Sequence, residues 1–274
     1  MLLGMAYAAA GAPVVGRLVS VARAAEEQGD SAICLSMIYA NAPKATFDSR
    51  RYAEKHIPLL KATYGDSIER IELRTPRKMP GMGGSNSLST AGKSHVPSTS
   101  KAPMGPPPPR VMAAISLWVR DVKAFGEKTI AAGTTIATDL AQVTEAQPIV
   151  QYDKVLVLLG DARAAILSDE QVYSTYFPAR EGGNFDAKYY GEKVIPLMVS
   201  LYGSKAIHRI EFSVGSLAQG GGKPAVVASS HYYIRDRAAW DAAGMKAFPQ
   251  LMAEAPKYTT LTPLVADMEV AATS

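Results

Sequence analysis

Of the four histidines in the chain, His56 is the one placed to move a proton. It shares a helical stripe with Tyr52, Leu59, Leu60 and Thr63, the spacing of a face turned toward a core. An imidazole titrates near neutral pH and can act as general acid or base. Tyr52, one turn earlier, offers a phenol beside it, so His56 and Tyr52 are the candidate catalytic pair. Tyr39, Ser116, Trp118, His231 and Tyr233 are the candidate ligand contacts. His231 and Tyr233 share a strand face by alternation, with Tyr232 opposite. A histidine on an apolar stripe also reads as plain core packing, so the residue type alone does not establish chemistry. His208 opens a strand on a Lys/Arg-rich edge and is expected to face solvent, and His95 falls in a Ser/Thr/Lys/Pro tract. The sequence holds neither an H-x-x-x-H pair nor a G-x-S-x-G elbow. No metal or cofactor is expected.

The elements that must position these residues occur twice. Phe47 to Leu59, F-D-S-R-R-Y-A-E-K-H-I-P-L, returns as F-D-A-K-Y-Y-G-E-K-V-I-P-L from Phe185 to Leu197, with eight of thirteen positions identical. Ile68-Glu69-Arg70-Ile71-Glu72 returns as Ile207-His208-Arg209-Ile210-Glu211. A second block pairs Val119-Arg120-Asp121 with Ile234-Arg235-Asp236, Phe125 with Trp240 and Pro148 with Pro263. The chain is two copies of one unit. The copies differ at informative places, because Val194 stands for His56 and Ser116 stands for His231. If His56 is the functional group, only the first copy can be active.

Each copy reads as strand, helix, strand, strand, helix, strand, the ferredoxin-like split arrangement. In the first copy the strands are 32–39, 68–73, 111–119 and 148–158, with Ile33, Leu35, Met37 and Tyr39 on one face of the first and Cys34, Ser36 and Ile38 on the other. Asp48 is suited to cap the helix that follows, Phe47 and Tyr52 to staple its entry, Pro58 to kink it near His56, and Gly65 to stop it. The second copy has strands over 172–177, 207–212, 226–234 and 264–270, with helices from Asp186 and Asp236. Such a sheet, with both helices on one face, needs cover on the other. Two copies on one chain can cover each other, which predicts a closed pseudo-dimer.

Bulk properties bound the partners. The chain has 274 residues, 47% hydrophobic and 20% charged, which suits two folded domains. Its net charge is +4, but the stretch from Arg74 to Arg110 holds six basic residues and no acid, leaving 23 basic against 25 acidic residues elsewhere. The basic character belongs to one loop, so nucleic-acid binding is not expected. Residues 75–109 are Gly-, Ser- and Pro-rich and read as a flexible insertion into the first unit. Residues 1–31 begin with an uncharged Ala/Gly/Val-rich run that closes on Ala22-Arg23-Ala24, the pattern of an export signal lacking its basic start; otherwise they form an N-terminal helix. The first reading implies the periplasm, the second the cytoplasm. The apolar run contains Pro13 and falls short of the roughly 20 residues of a membrane span. The single cysteine, Cys34, excludes an intrachain disulfide. Homodimerisation through outer strands or helices stays open.

Cys34-Leu35-Ser36-Met37-Ile38-Tyr39, the Phe47-Asp48 helix start, Lys55-His56-Ile57-Pro58-Leu59 and Gln147-Pro148-Ile149-Val150 together resemble an EthD domain of the dimeric α+β-barrel group. The resemblance covers residues 32–160 and, more loosely, 171–270. It implies an α+β fold of tandem ferredoxin-like repeats forming an intrachain barrel, each copy giving half, with a cavity between sheet and helices. It also implies a small apolar or aromatic ligand. The wider group includes cofactor-independent oxygenases, isomerases and dehydratases, in which frame His56 would serve as acid or base. The alternative is a non-catalytic ligand- or partner-binding module with a degenerate second copy.

Overall fold

The computed structural model describes residues 33–42, 45–77, 111–160, 169–218 and 221–274. The expected export signal, nearly all of the 75–109 insertion, His95 and the junction at 161–168 lie outside the described residues.

The first copy contributes β1 (Ile33–Ala40), β2 (Ile68–Pro76), β3 (Val111–Val119) and β4 (Ile149–Leu159), and the second β5 (Gln171–Pro178), β6 (Ile207–Ala218), β7 (Val226–Ile234) and β8 (Leu264–Thr273). Helix α1 follows β1 in three continuous pieces, Ser49–Arg51, a π turn at Tyr52–His56, and Ile57–Tyr64. Helix α2 is Val122–Leu140. In the second copy α3 repeats the three pieces as Ala187–Tyr189, Tyr190–Val194 and Ile195–Ala206, and α4 is Arg237–Tyr258.

The helix starts follow from local chemistry. The carboxylates of Asp48, Asp121, Asp186 and Asp236 each accept the amide hydrogen three residues on, at 2.9 to 3.0 Å. Phe47 meets Tyr52 at 5.5 Å between ring centroids and Phe185 meets Tyr190 at 5.4 Å, the expected staple in both copies. Pro58 has no N–H to give the carbonyl one turn back. The helix answers with the π turn, in which the Ile57 amide reaches Tyr52 O, and Pro196 has the same effect on α3. Gly65, at φ 49°, ends α1.

The eight strands form one closed antiparallel barrel in the order β1-β3-β2-β8-β5-β7-β6-β4. The two sheets face each other as the repeat predicts, and their edges also join, β2 with β8 and β4 with β6. No strand edge is left open in the barrel, and every strand has one face toward the lumen and one toward the helices. Ile33, Leu35, Met37 and Tyr39 pack with Ile71, Leu73, Ile115 and Leu117 against α1 and α2. Phe177, Ile207, Ile210, Phe212 and Tyr232 do the same under α3 and α4.

The lumen is polar. Ser36, Ser116 and Glu72 lie side by side across β1, β3 and β2, while Ser174, His231 and Glu211 lie across β5, β7 and β6. Arg70 reaches from β2 to Glu211 Oε1 at 2.6 Å, and Tyr233 donates from β7 to both oxygens of Glu72 at 2.9 and 3.0 Å. Burial pushes the Glu72 carboxyl above the usual range despite Arg74. Burial would do the same to Glu211, but Arg70 and Arg209 prevail and hold it below. Apolar caps lie along this polar layer, with Ile38, Val111, Ala114, Tyr176, Val226 and Met268 in one cluster and Cys34, Trp118 and Val155 in another. Burial and the nearby Asp153 push the Cys34 thiol up to about 12.

Asp153 supplies a test of this interior. Burial raises its carboxyl from 3.8 to about 6, although Ser36 and Gln151 both donate to it. A raised folded-state value means that the group's stabilising contribution is present below pH 3.8 and lost as pH rises through about 6. Asp153→Asn should therefore gain on the wild type by about 2 kcal/mol between pH 4 and pH 7, measured by denaturant unfolding at the two pH values; a constant difference would contradict the buried placement.

Candidate functional site

The sheet divides the candidate residues into two groups. On its helix side, Tyr39, Phe47, Tyr52 and His56 form a row of rings with successive centroids 5.0, 5.5 and 4.8 Å apart. Three of the candidates are thus brought together under α1. Ser116, Trp118, His231 and Tyr233 lie instead on the lumen side. There Ser116 accepts from the Arg74 guanidinium, the Arg70 guanidinium sits 3.5 Å over the Trp118 ring, and His231 Nδ1 meets Ser174 Oγ at 3.0 Å. Burial, then Arg74 and Arg70, hold the His231 imidazole well below its ordinary value, so it is neutral. A strand layer separates these four from His56, and the seven residues do not form one pocket.

His208, expected to face solvent, is 27% exposed in its side chain and pairs with Glu170. Its strand lies at the β4–β6 seam, and the acidic turn before β5 approaches it there.

The residue that sequence reasoning missed is Asp139, in the last turn of α2. His56 Nδ1 and Asp139 Oδ2 are 2.7 Å apart, and Arg51 Nη2 approaches Asp139 Oδ1 at 3.5 Å. The π turn in α1 determines where His56 sits on its face. The imidazole is buried, with 2% of its side chain exposed, whereas Asp139 keeps 22%. Burial lowers the His56 value, and the Asp139 carboxylate offsets part of that drop. Near neutral pH the ring is neutral, with Nδ1–H donating to the carboxylate.

Beside this pair a groove of 560 Å³ runs between α1 and α2, open to solvent and lined by Arg51, Leu59, Thr134, Thr135, Thr138, Asp139 and Gln142. The resemblance implied a cavity between sheet and helices; this groove is lined by the two helices and the turn that follows α2. Asp139 faces it, and His56 stands behind Asp139. Leu59 and the threonine methyl groups give it apolar surface, while Arg51, Asp139 and Gln142 give it a polar end.

The second copy keeps the tie between its helices and changes its chemistry. Tyr189 stands for Arg51 and Glu254 for Asp139, joined at 2.8 Å from the phenol to the carboxylate, and Val194 fills the place of His56 in the core. Among the described residues, a carboxylate backed by a buried imidazole is present in the first copy only.

No protein-family model matches the sequence, and no curated protein matches it. Solved structures do. An anthrone oxidase-like protein is 11% identical over 90% of this chain and 94% of its own, with a TM-score of 0.51. A putative monooxygenase from Fusobacterium nucleatum is 9% identical over 89% of this chain and 94% of its own, with a TM-score of 0.50. An EthD-like protein from Ralstonia eutropha is 20% identical over 39% of this chain and 91% of its own, with a TM-score of 0.33. Likeness at these identities establishes fold, and the chain has the dimeric α+β-barrel fold with both halves supplied by one polypeptide.

Proposed function

We propose that the first half of the barrel binds a small molecule in the groove between α1 and α2, with Asp139 accepting a hydrogen bond or a proton from it. His56 is then a positioning residue: it orients the carboxylate and stabilises its charge through Nδ1–H. The second half is scaffold. The observation that carries this reading is the 2.7 Å contact between a buried imidazole and a carboxylate that faces a groove, replaced in the second copy by Val194 and Glu254. The apolar surface from Leu59 and the threonines suits a compact aromatic or aliphatic body, and Asp139 suits a phenol or a carbonyl compound with an acidic α-hydrogen. Proton transfer without a cofactor, as in an isomerase, dehydratase or oxygenase acting on such compounds, is the reaction class this arrangement favours. The resemblance to EthD domains and the fold shared with a putative monooxygenase point the same way.

A second reading has its own support. The Tyr189–Glu254 bond joins α3 to α4 much as Arg51–Asp139 joins α1 to α2. On that reading the polar contact is a helix-to-helix tie, and the protein binds ligands or partners without chemistry.

A thermal-shift screen of phenols and small ketones separates the two. Compounds that raise the midpoint of the wild type should lose their effect on Asp139→Asn and most of it on His56→Val; equal responses in all three proteins would leave the tie alone. The His56 imidazole itself should titrate below 6.5 by NMR, and lower still in Asp139→Asn, because the carboxylate is what opposes the effect of burial. A His56 that titrates at or above 6.5 would contradict the buried pair.

A further inference from the structure

The barrel lumen holds a surplus of hydrogen-bond donors. Arg70 and Arg209, equivalent positions of the two copies, both point an Nη2 at the same oxygen of Glu211. Two guanidinium groups therefore share one carboxylate. Perfect two-fold symmetry would send Arg209 across to Glu72, as Arg70 crosses to Glu211. Glu72 is instead engaged by Tyr233 and Arg74, and Arg209 turns to the Glu211 of its own strand. Arg209 is left with Nε and Nη1 buried and without partners, Arg70 with Nε, and Arg74 with Nη1. The Arg209 side chain is 4% exposed, so bulk water does not serve it.

These groups need an acceptor. Among the described residues, the buried side-chain atoms without partners on the lumen face are all guanidinium N–H donors. The oxygens of Asp153 and Oε1 of Glu211 each have a protein donor, and the one Tyr233 hydroxyl is shared among Glu72 Oε1, Glu72 Oε2 and Glu211 Oε2. A water molecule would accept two hydrogens at most and bring two of its own. An anion accepts from every side and brings no hydrogen. It also balances charge, since three arginines face three carboxyls, of which burial drives Glu72 toward the neutral form. Arg70, 13% exposed in its side chain, marks the point where this layer meets solvent.

We infer that the lumen binds a small monovalent anion, of the size of chloride, between the guanidinium groups of Arg70 and Arg209. The site uses residues of both halves, so occupancy couples the anion to barrel closure and stabilises the folded chain.

The probe is halide. Crystals of the full chain grown in bromide should show an anomalous peak in contact with Arg209 and Arg70. In solution the unfolding midpoint should climb as chloride replaces gluconate at constant ionic strength, by about 3 °C per tenfold rise once the site is saturated. Arg209→Gln should abolish that dependence, and Arg180→Gln, at an exposed position, should keep it. A lumen that holds only water overturns the inference. So does a bromide peak without a halide-dependent midpoint, which marks an ion trapped at crystal concentration only. Should Arg209→Gln fail to fold, the wild-type crystal and titration decide the question unaided.

Discussion

Each half of the molecule is a four-stranded sheet whose outer strands would expose a row of unpaired N–H and C=O groups. Pairing β2 with β8 and β4 with β6 satisfies both edges of both halves in one step. The rest of the structure depends on that closure. It buries the inward-facing side chains, so the inward face of every strand finds partners among the other inward faces. Arg70 to Glu211 and Tyr233 to Glu72 cross between copies for this reason. Such pairs contribute specificity of closure more securely than net stability, because desolvating the charges offsets much of their attraction.

Carrying both halves on one chain removes the need for them to be alike. A symmetric dimer must carry the same residue at equivalent positions, whereas one chain can place His56 in one half and Val194 in the other. The lumen shows the same freedom. Glu72 and Glu211 are equivalent carboxyls, yet one is driven toward its neutral form and the other held ionised, because two arginines turn to Glu211. Divergence left the aromatic staples, the π turns and the helix caps in place, since these determine how α1 and α3 enter and leave the fold.

Much of this was legible in the sequence. The repeat gave the two halves, the capping aspartates gave the helix starts, and alternation in β1 assigned its two faces correctly. What it could not assign was the environment of each face. Arg70, Glu72 and Arg74 alternate with Ile71 and Leu73, a pattern that ordinarily marks a solvent face; here the helices cover the apolar side and the charged side turns into the lumen. Residue type alone does not reveal that the sheet separates His56, Tyr52 and Tyr39 from Ser116, Trp118, His231 and Tyr233. Asp139 lies 83 positions from His56 on a different helix, and no local spacing connects them.

The account rests on the two halves forming a single cooperative barrel, and amide hydrogen exchange along the seams measures that directly. Amides of β4 and β6 should exchange only through global unfolding, with the same protection as those of the central strands β1 and β3. Seam amides that exchange far faster than the strands inside each half would show the halves opening independently, and would contradict a closed barrel as the constraint on which the lumen and the helix layer depend.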